Sequence, residues 1–194
     1  MMCDIAVTVQ GVTPLLCHRY EGENGPDTPE GKPAHTGDRG TAREQAERSL
    51  YVTNDGKPMV PTPNIFRAIM DGGYFFKIGK KQVTTNTSSL IGACLTIDGV
   101  ECIIKHKEPW TVDTRPVMIP ATKGRVLRHR PRFDDWKLSF TLVLDTEIMS
   151  TKLLREIVDA AGKRVGLGDY RPARKGLFGR FVVVSWQESQ AKSA

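Results

Sequence analysis

The chain has 194 residues and a formal net charge of +6. This length fits a single domain spanning residues 1–194, and it is long enough to bury a core without disulfides or bound metal. Positive charge is dense in residues 123–132 and 163–180, which favours nucleic acid or another polyanion over an acidic small substrate. No apolar run approaches the length of a membrane span, so we expect a cytoplasmic protein with no membrane partner.

The first strand is predicted where Ile5, Val7 and Val9 alternate with polar or small residues. Residues 21–49 are polar and rich in glycine, proline and charge, so they bury too little apolar surface to offset their ordering entropy. We expect them to form a mobile insertion within the domain. Its end, from Thr41 to Ser49, has the spacing of a short helix in which Thr41 and Glu44 form a capping box.

The next segment predicts a hairpin followed by a helix. Asn54-Asp-Gly-Lys57 follows a short apolar run and has the Asp-Gly signature of a tight turn. Thr62 is a predicted N-cap, and Pro63 occupies the first helical position, where proline is tolerated. The apolar residues that follow up to Met70 lie on one face of that helix.

The second half predicts further strands, a second helix and a final strand. Residues 77–89 are polar and are predicted as a loop. The predicted strands are Ala93–Ile97, Glu101–Ile104, Val117–Ile119, Lys137–Leu144 and Phe181–Trp186, and the predicted helix is Thr151–Ala161. This order is a split β-α-β arrangement repeated. It predicts an α+β domain, a modified ferredoxin-like or RRM-like sandwich with a long insertion after the first strand.

A glycine-rich basic loop separates the last helix from the last strand. It contains Gly166, Gly168, Gly176 and Gly179, together with Arg171, Arg174, Lys175 and Arg180. Glycines let a backbone approach a ligand and expose its amides, and the cations match phosphate charge. The loop therefore predicts a polyanion site, although glycines that serve turn geometry alone remain an alternative.

Cofactor and metal chemistry is not indicated by the sequence. The cysteines Cys3, Cys17, Cys94 and Cys102 contain no Cys-x-x-Cys pair, so we expect reduced, buried thiols. The four histidines are dispersed, and no Walker loop or nucleophile elbow is present. We therefore expect no metal and no cofactor.

The element order and the loop resemble the RAMP superfamily of CRISPR-associated RNA-binding proteins, most closely the subunits that coat guide RNA as a backbone. Gly166-Leu-Gly168 and Gly176-Leu-Phe-Gly179 are similar to the glycine-rich loop of that family, and residues 60–69 are similar to the proline-led opening of its first helix. The chain is short for a backbone subunit, which fits a short or phage-encoded relative with small insertions.

The resemblance implies a subunit that binds single-stranded RNA, or DNA, and oligomerises along it with copies of itself and with other subunits of a ribonucleoprotein. It places the strand backbone along Gly166, Gly168, Arg171, Arg174, Lys175, Gly176, Gly179 and Arg180. A second, more flexible contact is expected from Lys123, Arg125, Arg128, Arg130 and Arg132. Arg19 and Tyr20 also suit a strand-binding face. The candidate platforms for base stacking are Tyr170, Phe178, Tyr74 and Phe75, and a buried core position is an equal alternative for Phe178 and Phe75.

Two alternatives remain open. The first is a metal-independent endoribonuclease, for which the weak catalytic candidates are His18 after the first strand and Asp27 or Asp38 in the insertion. The second is a structural assembly protein of a phage or similar particle, whose basic loop contacts protein. A binding subunit without enzymatic activity is the expectation that best fits the loop, the charge and the element order.

Overall fold

A computed structural model describes residues 1–19, 40–118 and 123–190. The strands are β1 (Met2–Gly11), β2 (Leu15–Leu16), β3 (Met59–Pro61), β4 (Lys77–Ile78), β5 (Lys81–Gln82), β6 (Leu95–Ile97), β7 (Glu101–Ile103), β8 (Lys105–His106), β9 (Thr111–Met118), β10 (Arg125–Phe133), β11 (Trp136–Asp145) and β12 (Phe181–Gln190). The helices are α1 (Ala42–Arg48), α2 (Thr62–Gly72), α3 (Ile91–Cys94) and α4 (Thr151–Ala160). A π-helical turn, Ala161–Val165, extends α4, and 3-10 turns lie at Gly73–Phe75 and Pro172–Arg174.

The main sheet has the strand order β12-β1-β11-β6, with β8 pairing further along β11. All of its pairings are antiparallel, and Val7 of β1 faces Phe140 on one side and Trp186 on the other. In chain order the elements β1, α2, β6, β11, α4 and β12 form the split β-α-β unit twice, which is the ferredoxin-like arrangement. The predicted fold class is thereby confirmed.

The core lies between this sheet and the helices α2 and α4. Ile5, Val7 and Val9 of β1 are at most 2% exposed, as the alternating pattern predicts. They join Leu138 and Leu142 of β11 and the apolar faces of both helices in one cluster. Burial of this cluster is the main stabilising contribution to the fold, because apolar area removed from water contributes about 25 cal/mol per Å².

Two predicted element starts are wrong. Thr62 does not cap α2, because the helix already includes it, and its hydroxyl donates instead to the Gly99 carbonyl at 2.9 Å. Ala93 belongs to the short helix α3, and the strand begins only at Leu95. At Thr62 a contact with a distant part of the chain overrides the local preference, whereas the Ala93 amide donates to the nearby Leu90 carbonyl at 3.0 Å within the short helix.

The predicted turn and the predicted capping box are both present. In the hairpin after Leu50, the Thr53 amide donates to the Lys57 carbonyl at 2.9 Å. In α1, the Glu44 amide donates to the Thr41 hydroxyl at 3.3 Å, and the Thr41 amide donates to the Glu44 carboxylate at 2.6 Å. This end of the predicted insertion is therefore an ordered helix that packs on β10, whereas residues 20–39 lie outside the described residues.

The largest unpredicted element is the hairpin formed by β9 and β10. The sequence predicts only a short strand at 117–119, of which Ile119 lies outside the described residues, and a flexible basic segment after it. Instead β9 and β10 pair over eight residues, with Arg130 opposite Asp113. β2 pairs with the end of β10, so the hairpin is attached beside the glycine-rich loop.

The cysteines are free thiols. Cys17, Cys94 and Cys102 are buried, and Cys3 is partly buried. Burial raises the pKa of the Cys17 thiol to about 12 and is the main cause that raises the pKa of Cys102 to about 11. No helix in the described ranges is long and apolar enough to span a bilayer.

Candidate nucleic-acid interface

The glycines of the loop bring it into contact with the protein itself. Gly168 has a φ of +71°, and a Cβ there would lie 2.3 Å from the Leu16 carbonyl oxygen. At Gly179 a Cβ would lie 1.8 Å from the Leu167 carbonyl oxygen. The Asp169 amide then donates to the Leu16 carbonyl at 2.8 Å, and the Leu167 amide donates to the Gly179 carbonyl at 2.9 Å. These amides are used inside the fold, so the expectation that glycines here present amides to a ligand is wrong for them.

The other two glycines have the same function. A Cβ at Gly176 would lie 1.7 Å from the Tyr170 carbonyl oxygen, and a Cβ at Gly166 would lie 2.8 Å from Pro172 Cδ. The loop is thus folded tightly, and its shape determines which of its cations lie beside cations from other parts of the chain.

Two of the loop cations line a groove with two arginines from elsewhere. We call it the arginine groove; it encloses about 700 Å³. Its lining residues are Arg67, Asp71, Tyr74, Phe75, Arg164, Val165, Arg171, Ala173 and Arg174. These residues come from α2 and the 3-10 turn after it, from the π-helical turn after α4, and from the glycine-rich loop. Arg67 and Arg164 were not predicted as site residues.

Positive charge in the groove exceeds what its acids neutralise. Arg67 pairs with Asp71 at 3.0 Å. Among the residues that the structure describes, Arg164, Arg171 and Arg174 form no ion pair with a carboxylate. Partial burial and the nearby guanidinium of Arg174 lower the pKa of Arg171, although Asp71 and Asp169 oppose the shift. An anion bound here would relieve this repulsion.

Arg171 is also positioned by the loop. Its Nη1 donates to the Gly168 carbonyl at 2.9 Å, which directs the guanidinium along the wall of the groove. Arg164 stacks on the ring of Phe75, with its central carbon 4.6 Å from the ring centroid. Phe75 itself is 47% exposed, so the pair presents both a charge and an aromatic face to a ligand.

A smaller cavity adjoins the arginine groove, and we call it the Asn64 cavity. It encloses about 250 Å³ and shares Arg67 and Arg171 with the groove. Its apolar walls include Leu15, Met59, Val60, Pro61, Ala68 and Leu167. The polar side chains that line it besides the two arginines are His18, Tyr51, Asn64 and Asp169.

A third recess continues the groove on the other side. It encloses about 260 Å³, shares Arg67, Asp71 and Tyr74 with the arginine groove, and is otherwise lined mainly by the polar residues 84–89. The Tyr74 hydroxyl donates to the Thr85 carbonyl at 3.0 Å, which fixes that ring against the recess. Cavity, groove and recess therefore adjoin one another along the polar side of α2, where Arg67 lines all three, and we call them together the path.

Asp169 and Arg130 connect this path to the β9–β10 hairpin. Arg130 is 7% exposed, and its guanidinium donates to the Asp169 carboxylate. Burial opposes ionisation of Asp169, but the Arg130 charge and the Tyr170 amide outweigh it and hold the pKa of Asp169 below 3.8. Arg130 is thus a buried cation held by Asp169, and its role as a nucleic-acid contact stays a prediction that this burial does not support.

The remaining members of the basic run lie on the hairpin and line neither the arginine groove nor the Asn64 cavity. Lys123, Arg125 and Arg128 are exposed, and Arg132 donates to Asp134 at 2.8 Å. From Arg125 onward the run is a paired strand, which differs from the flexible contact that was expected.

The other predicted residues are dispersed around the path. Lys175 and Arg180 are exposed but do not line the groove. Arg19 is exposed, and its amide donates to the Ser49 carbonyl at 2.9 Å. Tyr20, Asp27 and Asp38 lie outside the described residues.

His18 lines the Asn64 cavity and is the smallest of the causes that lower the pKa of Asp169. General acid–base cleavage of RNA needs both a proton acceptor and a proton donor. Asp169 is ionised and bound by Arg130, so it does not supply a proton beside His18. Catalysis by His18 therefore stays a prediction that the geometry does not strengthen.

The candidate stacking aromatics separate by exposure. Phe178 is 4% exposed, with the central carbon of the Arg115 guanidinium 4.8 Å from its ring centroid, so of its two expected roles the structure supports the buried one. Tyr170 is 41% exposed at the loop surface, with its ring centroid 6.0 Å from that of Phe178. Phe75 is the exposed aromatic inside the arginine groove. On the outer face of the main sheet, β1 and β11 carry no aromatic side chain; Thr8 and Ser139 face each other there at 3.1 Å.

The site residues that sequence reasoning missed lie on helical surfaces. Asn64, Arg67 and Asp71 recur at helical spacing on the polar side of α2, and this periodicity was the available signal. Arg164 gave no such signal, because it belongs to the π-helical turn after α4.

Comparison with known proteins identifies the fold. No protein-family model and no curated protein sequence matches the chain. Among solved structures, it is similar to a chain of the cryo-EM structure of the Type III-B Cmr-beta complex bound to cognate target RNA, with a TM-score of 0.62. That match covers 97% of this chain but only 61% of the other, at 9% sequence identity. The two chains share a fold.

Proposed function

We propose that the protein is a single-stranded RNA-binding subunit of a CRISPR-type ribonucleoprotein, which holds the phosphates of the strand in the arginine groove. The observation that carries the proposal is the convergence of Arg164, Arg171 and Arg174 beside Arg67 without an equal number of acids. Phosphate contacts supply most sequence-independent affinity for nucleic acid. A single strand also suits an open path with one exposed aromatic, because unstacked bases can pack on such a ring.

The shared fold supports the same proposal. The neighbouring chain belongs to a complex bound to RNA, and this chain spans about three fifths of its length. A strand longer than the groove would be covered by several copies of the protein side by side, with the other subunits of the particle. We propose binding without cleavage, because the groove offers cations and an exposed aromatic ring, and the carboxylate of Asp169 in the adjoining cavity is already held by Arg130.

The decisive test compares two double variants that remove the same charge. Arg171→Ala with Arg174→Ala removes groove cations, whereas Lys175→Ala with Arg180→Ala removes loop cations outside the groove. For the first we expect RNA affinity to fall by about tenfold or more, since each lost charge-assisted hydrogen bond contributes about 1.5–3 kcal/mol. The slope of log affinity against log salt should become shallower by about 1.4, at about 0.7 per phosphate contact.

The control variant should keep most of the affinity and a slope close to that of the wild type. Fluorescence anisotropy with a labelled single-stranded RNA, measured over a salt series, gives both quantities. Equal losses in the two variants would mean that only net charge matters, and the assignment of the groove would be wrong. Circular dichroism spectra establish that both variants fold.

A further inference from the structure

We propose that the Asn64 cavity takes one unstacked nucleobase of the RNA strand whose phosphates lie in the arginine groove. This inference rests on the proposed function and goes further, because it assigns a base-reading subsite to a particular place in the fold. The cavity adjoins the groove through Arg67 and Arg171, which line both. A nucleotide whose phosphate contacts these arginines has its base at the mouth of the cavity.

The size of the cavity favours a base over a larger ligand. Its volume of about 250 Å³ lies just below the range of about 300–1,000 Å³ that drug-sized ligands occupy. Met59, Val60 and Pro61 of β3 line the cavity, together with Leu15 of β2 and Leu167 of the glycine-rich loop. Apolar walls of this kind suit the faces of a planar ring, since single-stranded bases are recognised by stacking or packing of their faces.

Polar groups that suit the edge of a base line the same space. Within the described part of the chain, neither the Asn64 amide nor the Tyr51 hydroxyl has a hydrogen-bond partner, although both line the cavity. An asparagine amide offers two donors and an acceptor, and a tyrosine hydroxyl offers one donor. Asparagine can therefore contact a base edge with two hydrogen bonds, as it does with adenine in nucleic-acid complexes.

The charges around the cavity argue against a second phosphate inside it. Arg130, behind Asp169, is buried and already bound to that carboxylate. The ionised Asp169 side chain lines the cavity and repels an anion. Positive charge is concentrated where the cavity meets the groove, on Arg67 and Arg171, which line both. A neutral base inside and a phosphate at the mouth match this distribution.

The test uses RNA strands of equal length and charge that differ only in their bases. We compare oligoadenylate, oligouridylate, oligocytidylate and a strand whose sugars carry no base. The wild type should bind one base type most tightly and the abasic strand about tenfold more weakly, because a bidentate contact contributes about 1–3 kcal/mol of discrimination. Asn64→Leu should lose the preference among bases while its salt slope stays unchanged.

A matched control and a second variant keep the test decisive. Asn54→Leu makes the same chemical change in the exposed hairpin turn and should keep the preference. Tyr51→Phe removes only one hydroxyl, so we expect it to fold even if Asn64→Leu does not fold. Tyr51→Phe should also reduce the preference among bases. An unchanged preference in both cavity variants overturns the base subsite. If Arg171→Ala with Arg174→Ala still weakens binding in that case, the proposed function stands; if the wild type binds none of the strands, both are wrong.

Discussion

Gly168 determines where the cations of the loop point. Its positive φ and its contact with the Leu16 carbonyl place the loop against β2, and its own carbonyl accepts the hydrogen bond that orients Arg171. A side chain at this position would disturb both the backbone conformation and the orientation of a groove cation. The backbone conformation of Gly168 and the orientation of the Arg171 guanidinium are thus coupled.

The first prediction separates the two costs of replacing that glycine. Gly168→Ala forces a left-handed conformation and a Cβ 2.3 Å from a carbonyl oxygen. Gly56→Ala has the same conformational cost, at a φ of +77°, but no atom lies within 4 Å of the new methyl. Gly56→Ala should lower the free energy of unfolding by about 1 kcal/mol. Gly168→Ala should lower it by about 1–3 kcal/mol more, because backbone must also move.

Urea unfolding followed by circular dichroism measures both variants. Gly92→Ala serves as the reference, since Gly92 has neither a positive φ nor a close neighbour. Equal losses for Gly168→Ala and Gly56→Ala would show that the contact with Leu16 costs nothing and that the loop is not packed as described.

At the scale of elements, the β9–β10 hairpin contacts the glycine-rich loop at two points. The Arg130–Asp169 ion pair joins β10 to the loop, and Arg115 of β9 lies over Phe178 at 4.8 Å. Asp113 holds Arg115 in place at 2.8 Å. The basic hairpin therefore packs against the glycine-rich loop, and its buried cation Arg130 is already held by Asp169.

The second prediction concerns Asp169→Asn and its dependence on pH. The variant leaves the buried Arg130 without its charge partner, so the free energy of unfolding should fall by about 1–3 kcal/mol at pH 7, with Asp169 partly exposed. The pKa of Asp169 is lower in the folded protein than its ordinary value of 3.8. Its stabilisation is therefore complete above that value and disappears as the pH falls through the folded pKa.

Thermal unfolding from pH 7 down to pH 2.5, about one unit below the ordinary pKa of a carboxyl, compares the variant with the wild type. The difference between the two curves should shrink as the pH falls below 3.8. Asp134→Asn removes a partner from the exposed pair with Arg132 and should cost less than about 1 kcal/mol. A constant difference between Asp169→Asn and the wild type at every pH would contradict the ion pair as its cause.

The elements that were predicted correctly have a pattern of apolar residues within their own sequence. Alternation in β1 and β11 and the apolar faces of α2 and α4 each arise from burial against one core, so period and composition suffice. The β9–β10 hairpin was not predicted because its strand β10 buries an arginine, which an alternating pattern places on the surface. Arg130 is buried because it pairs with Asp169, which lies 39 residues further along the chain, so the local sequence does not reveal that partner.

The candidate site was predictable in part for the same reason. Arg171 and Arg174 lie in a loop whose composition indicated phosphate binding, and the structure places both in the groove. Arg67 and Arg164 join them only through the packing of α2 against the turn after α4. Lys175 and Arg180 belong to the same basic loop but do not line the groove. Which loop cations face the groove is determined by the tight fold around the glycines, and composition alone does not reveal it.

At the scale of the whole molecule, β1 has backbone hydrogen bonds on both sides, and elements further from it in the fold are less fully bonded. This strand is bonded on both sides over almost its full length, to β11 and to β12. The β9–β10 hairpin extends from the domain, and its outer end near Met118 and Arg125 is exposed. Stability differs among elements in the same way, since regions with few buried apolar contacts open most readily.

The last prediction is a hydrogen-exchange profile. It reports how local stability falls from β1 to the β9–β10 hairpin, and it tests whether a second copy of the chain covers the hairpin. Amides of β1 and β11 should exchange slowest, through global unfolding, whereas those of β4, β5 and the outer end of the hairpin should exchange fastest. Adding single-stranded RNA should slow exchange around α2 and the loop, because ligand that binds only the folded state opposes opening. Measurement at two protein concentrations supplies the control. An outer hairpin as protected as β1 at both concentrations would contradict the gradient, while protection that rises with concentration would show a second copy of the chain covering it.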